Sequence, residues 1–161
     1  MVTTKKRLKV YVSEAKTKFE KQVEDIIIEW EKDAEFGTDV SAETLRASKL
    51  HSKYWTRLLR IRYKLGEVKK NYEETEFKKT MYYTGRASAE EYKSNPMNFN
   101  ITKGELPLWM KADKELRILT YQIECLKELE KIHTEIIAQV NERKWHLQNI
   151  LNSEKFKAGI N

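Results

Sequence analysis

The apolar residues fall into three long helical stripes. Phe19, Val23, Ile26, Trp30 and Ala34 recur at spacings of four, three, four and four, the period of one buried helix face. This predicts a first helix from about Ser13, a candidate N-cap, to Phe36, with Gly37 as its stop. After Asp39 or Ser41 as the next cap, nothing breaks the pattern until about residue 84 except Gly66. His51, Tyr54, Leu58, Ile61, Leu65, Val68, Tyr72 and Thr75 alternate three and four apart along it, a heptad-like seam. Gly66 costs about 1 kcal/mol inside a helix and marks a kink or a close approach. A third stripe comprises Leu116, Leu119, Ile123, Leu126, Leu129, Ile132, Ile136 and Val140. It predicts a helix that starts between Pro107 and Asp113 and reaches about residue 154.

Both prolines and two of the five glycines lie in 85–107, the connection between the two long helices. Within it, Ser88 to Glu91 matches a capping box and predicts a short helix ending before Asn95-Pro96. The fold class expected is all-α, with long antiparallel helices forming a helical hairpin. Residues 1–16 show no clear period and read as a mobile basic arm; residues 17–161 read as one helical domain. Stripes this narrow do not bury themselves in a monomer's core, so self-association is expected. Trp145, Leu147, Ile150, Leu151, Phe156 and Ile160 exceed what a free tail needs, which places an oligomerisation segment at about 141–161.

Composition agrees with solvated helices: 161 residues, 40% hydrophobic and 35% charged, against a usual charged share of about 25%. No secretory leader or membrane span is expected, since the longest apolar run is Ile26-Ile27-Ile28. One cysteine, Cys125, excludes an intrachain disulfide and suits a reduced, cytosolic protein.

Charge changes the picture more. The net +6 is segregated: +5 over 1–21, −6 over 22–42, +6 over 43–79, +1 over 80–104 and zero over 105–161. On the second helix Arg46, Lys49, Lys53, Arg57, Arg60 and Lys64 form one stripe, about 100° from the apolar seam. Six like charges on a face repel, so something outside the helix compensates them. Either the acidic segment 22–42 does so internally, or a phosphate backbone does.

Little supports catalysis, and no enzymatic activity is expected. His51, His133 and His146 lack ligand-spaced partners, and neither a phosphate loop nor a nucleophile elbow occurs. No metal site and no cofactor are expected. The one chemical combination present is cations beside rings, at the end of the second helix: Lys69, Lys70, Lys78, Lys79, Tyr82, Tyr83 and Arg86. Single-stranded nucleic acid binds through such pairs, phosphates to cations and bases to ring faces. Gly85 would let Arg86 turn back over the tyrosines. Alternatively, Tyr82 and Tyr83 anchor the turn against the third long helix, and spacing does not choose between the two.

"YYTGR" at 82–86, "ADKEL" at 112–116, "FKAG" at 156–159 and "HSKY" at 51–54 resemble, in order and spacing, the UvsY recombination mediators of T-even-type phages. The resemblance covers roughly residues 17–159. It implies a non-enzymatic, single-stranded DNA-binding mediator that promotes loading of a phage recombinase onto DNA coated by a phage single-strand-binding protein. It further implies a ring-like or open-barrel homo-oligomer, a heptamer in the family, acting in the host cytoplasm without a membrane. A basic segment before the tyrosine pair is linked to DNA binding, and here reads Phe77-Lys78-Lys79-Thr80. Only Lys79 keeps the family's charge in place, so the basic arm and Arg57, Arg60 and Lys64 join the candidates. The rival reading is a structural or adaptor coiled-coil oligomer that meets acidic protein surfaces and has no DNA role.

Overall fold

The computed structural model describes residues 2–97 and 100–159, with side chains from residue 14 onward. All regular structure among them is helical: α1 (Val2–Ala34), α2 (Val40–Tyr83), α3 (Ala89–Ser94), α4 (Leu106–Ala112) and α5 (Lys114–Lys157). No helix among the described residues is long and apolar enough to cross a membrane. The chain forms two compact units, one built from Ser13–Tyr63 and the part of α5 from Lys127, the other around Lys64–Leu126.

In the first unit α1, α2 and α5 form a three-helix bundle, so the hairpin expected from the sequence gains a third member. Contacts between residues 29 and 57 and between 33 and 53 set α1 antiparallel to α2. Contacts between 43 and 143 and between 62 and 130 do the same for α5. Ile26, Ala47, Leu50, Tyr54, Leu58, Leu129, Ile136, Ile137, Val140 and Leu147 are buried there. The Tyr54 ring meets Trp30 edge-on at 5.5 Å. Beside it lies buried His133, whose Nδ1 is 2.8 Å from the Leu129 carbonyl. The second unit buries Leu65, Leu116, Leu119 and Leu126.

The ends of the helices show what the local sequence controls. Asp39 Oδ1 accepts from the backbone of Ser41 and Ala42, making Asp39 the cap of α2. Gly85, at φ +78°, ends α2, with Arg86 N donating to Met81 O and Gly85 N to Tyr82 O. That pair of bonds is a Schellman closure, and it needs a residue that tolerates left-handed backbone. Ser88 Oγ caps α3 by accepting from Glu91 N.

Three expectations are corrected. The first helix starts at Val2, not Ser13, so the backbone of the supposed arm is helical; the side chains that give the arm its charge lie outside the described residues. Gly37 is not a left-handed stop. The last carbonyls of α1 are taken instead by two distant arginines: Arg46 reaches those of Lys32, Asp33 and Glu35, and Arg143 those of Asp33, Ala34 and Glu35. Cations suit a helix C-terminus, where unpaired carbonyls concentrate negative charge. Gly66 has no neighbour that a Cβ would meet, so it marks no close approach.

Candidate nucleic-acid interface

The cations of α2 divide into two sets according to what lies opposite them. In the bundle Arg57 grips Glu29 with two bonds of 2.6 and 2.9 Å, and Lys53 reaches Glu29 at 2.7 Å and also pairs with Asp33. The Arg57 and Lys53 hydrogen bonds hold the Glu29 carboxyl down at about 2. Tyr54 donates to Asp33 at 2.9 Å, and burial together with that bond raises its pKa. Arg46 pairs with Glu43 at 3.3 Å. Glu43 also accepts from Gly37 N at 3.1 Å and pairs with Arg143, both charges being almost fully buried. Half of the predicted ridge is therefore neutralised within the chain: Arg46, Lys53 and Arg57 answer to acidic residues on α1 and α2. Lys49 and Arg60 are exposed and make no ion pair with any described residue.

In the second unit the end of α2 is tied down by Asp113. This buried carboxylate caps α5 with Oδ1, which accepts from the backbone of Glu115 and Leu116. Its Oδ2 accepts from the Tyr83 hydroxyl at 2.8 Å and lies 3.5 Å from Lys79 Nζ. Lys79 also meets Glu115 at 2.8 Å. Burial opposes the charge of Lys79, but the two carboxylates outweigh it and raise its pKa. Burial and the bond to Asp113 raise that of Tyr83.

Tyr82 is equally engaged. Its ring stacks on Tyr92 at 5.4 Å and meets Tyr83 edge-on at 5.3 Å. Its hydroxyl donates to the Asn95 carbonyl at 3.0 Å, while the Tyr92 hydroxyl donates to the Tyr82 carbonyl at 2.7 Å. The tyrosine pair anchors the turn, and Arg86 makes no cation–ring contact with it among the described residues. What remains on this unit is a set of exposed cations: Lys64, Lys69, Lys78 and Arg86 have no ion pair to any described residue. Lys70 has only a solvent-exposed partner, Glu74, at 3.9 Å, a contact worth little. Phe77, also exposed, lines a groove of about 860 Å³ with Tyr72, Thr80, Leu106, Met110 and Leu116.

The C-terminal candidates also separate. Leu147 is 1% exposed and belongs to its own chain's core, which corrects its assignment to a self-association surface. Trp145, Ile150 and Phe156 are exposed and Leu151 is half-buried; Ile160 lies outside the described residues. Sequence reasoning missed Asp113, Glu43 and Arg143. Asp113, an aspartate directly before a helical run, carried a capping signal. Arg143 stands among alternating charges and carried none.

These features define a class: an all-helical protein that pairs part of a basic helix internally and leaves the rest open to a polyanion. The family model described as recombination, repair and ssDNA binding protein UvsY matches residues 23–160, and the chain belongs to this family. The crystal structure of the bacteriophage T4 recombination mediator protein UvsY superposes with a TM-score of 0.72 at 18% identity, covering 84% of this chain and 96% of that one. The fold is shared. No curated protein sequence matches the chain.

Proposed function

We propose that this protein is a recombination mediator without enzymatic activity. It binds single-stranded DNA and promotes loading of a phage recombinase onto strands coated by a single-strand-binding protein. It works as a ring-like homo-oligomer, a heptamer by analogy with the family, in the host cytoplasm. The observation that carries the reading is membership of the UvsY family over residues 23–160, joined by the T4 mediator's likeness in fold.

The structure supports a particular form of the DNA contact. Lys64, Lys69, Lys78 and Arg86 are exposed and unpaired among the described residues, so each can meet a phosphate without first breaking an internal bond. Lys79 and Arg57 cannot. A ring repeats such weak contacts, and avidity makes the assembly bind tightly without a deep pocket.

The test is the lag before recombinase ATPase activity on single-stranded DNA precoated with the cognate binding protein. Adding this protein should shorten the lag. A lag left unchanged by protein that binds the same DNA tightly would overturn the mediator role and leave plain DNA binding.

A further inference from the structure

Two outward helix faces of the three-helix bundle are left with opposite character. On α2, the side turned away from Tyr54 and Leu58 carries Leu45, Lys49, Trp55, Leu59, Arg60 and Tyr63, all exposed. Leu59 is 48% and Tyr63 71% exposed. The other positions on this side, Ser48, Ser52 and Thr56, are hydroxyl residues, so the face has cations and rings but no acid. On α1, the side turned away from Ile26 and Trp30 carries Glu20, Glu24, Ile27, Ile28 and Glu31, again all exposed. Ile27 and Ile28 are 48% and 44% exposed, between two turns of glutamate. Lys21 and Lys32 border one edge of this face, and Glu20 has a loose partner in Lys16 at 3.6 Å. The acids that neutralise α2 within the chain, Glu29 and Asp33, are on the opposite side of α1.

We propose that the outward face of α1 on one copy docks against the outward face of α2 on the next copy. Charge and apolar content match together. Ile27 and Ile28 lie midway between Glu24 and Glu31, and Trp55 lies midway between Lys49 and Arg60. At ~1.5 Å per residue the acidic pair spans about 10 Å and the basic pair about 16 Å. Seating the isoleucines at the level midway between Lys49 and Arg60 thus leaves each glutamate an axial offset of about 3 Å from its cation, within reach of these long side chains. The two faces differ, so the contact is head-to-tail: each copy offers one donor and one acceptor face, and repetition closes a ring or extends a filament. The alternative occupant of the α2 face is nucleic acid, since rings and cations suit it too. The complementary acidic, isoleucine-bearing face on the same chain favours a second copy.

This inference shares with the proposed function the premise of an oligomer, and the experiment separates the two. Native mass spectrometry of the full chain is run on wild type, on Glu24→Lys with Glu31→Lys, on Lys49→Glu with Arg60→Glu, and on all four changes together. Helical content by circular dichroism accompanies each. Either pair alone should lower the mass to smaller species, and the fourfold variant should regain the wild-type mass, because it exchanges the signs of both faces. Ile27→Gln with Ile28→Gln, which leaves charge untouched, should lower it as well. Unchanged mass in both charge pairs, or a fourfold variant that is helical yet stays small, would overturn the interface. So would a Lys49 and Arg60 pair that keeps its mass but loses binding to a poly-dT strand, which would give the α2 face to DNA. A wild type that is monomeric at all concentrations defeats the oligomer and this interface alike. Active wild-type oligomers whose mass ignores every change defeat the interface alone.

Discussion

The Tyr83 hydroxyl donates to Asp113 Oδ2 at 2.8 Å, on the same carboxylate whose Oδ1 caps α5. One buried side chain thus fastens the end of α2 to the beginning of α5, and it also holds Lys79. A ring used for stacking bases would have no need of that bond. Tyr83→Phe should therefore cost about 1 kcal/mol of stability. Asp113→Ala loses the cap and leaves the half-buried Tyr83 hydroxyl without its acceptor, and should cost about 2–4 kcal/mol. Asp113→Asn, which keeps an acceptor for the cap, should fall between the two. Urea unfolding measures all three; equal stability of Tyr83→Phe and wild type would mean that the anchor carries nothing.

Neighbouring lysines should behave oppositely. Lys78 is exposed and unpaired among the described residues, whereas Lys79 is held by Asp113 and Glu115. Lys78→Ala should leave stability unchanged, weaken binding to single strands and reduce the slope of log K against log salt by about 0.7. Lys79→Ala should lower stability and change the slope little. Fluorescence anisotropy on poly-dT across a salt series reads the slope, and a reversed pattern would relocate the DNA contact to the tyrosine turn.

Acid should weaken the bundle in two stages. Burial depresses the His133 pKa below its ordinary 6.5, so the unfolded chain takes up a proton first and stability begins to fall below that pH. Glu29 is held at about 2 against an ordinary 4.5 by Arg57 and Lys53. Its contribution is complete above 4.5 and is lost as pH falls towards 2. Glu43 shifts the same way, burial opposing and Gly37 N and Arg143 prevailing. Glu29→Gln should flatten the second stage and spare the first, as followed by thermal melts from pH 7 to pH 2.

Core and surface apolar residues near the C-terminus should part company under mutation. Leu147→Ala opens a cavity in a fully buried site and should cost about 3 kcal/mol. Trp145→Gln with Phe156→Gln alters two exposed rings and should leave the melting temperature nearly unchanged. If that double variant sheds subunits in native mass spectrometry, the C-terminal segment holds copies together as well.

The Arg143–Glu43 pair is almost fully buried and anchors the last carbonyls of α1. Replacing Glu43 by Gln leaves a buried guanidinium without its counter-charge and should cost about 3–5 kcal/mol. Arg143→Met should cost less than that wherever Glu43 retains Arg46 and Gly37 N. Denaturant midpoints of the two variants rank them.

The sequence by itself determined the buried faces of the long helices, but not the helical turns at 2–12 or the short α4. An apolar period of three and four is a property of one helix, and the seam from His51 to Thr75 contains no exposed residue in the structure. Local chemistry also set the cap at Asp39, the left-handed closure at Gly85 and the short helix after Ser88, since each bond joins residues a few positions apart. Only the tertiary structure decided which charges are spent. Arg57 and Arg60 stand on one predicted stripe, yet Arg57 faces Glu29 and Arg60 faces no described acid. A period assigns a side chain to a face of its own helix but does not say which helix lies across from it. Leu147 and Trp145 were indistinguishable for that reason, two apolar residues two positions apart. The missing stop at Gly37 has the same origin, because the arginines that close α1 come from elsewhere in the chain. Ion pairing and burial depend on distances between remote segments, and those distances exist only once the helices have packed.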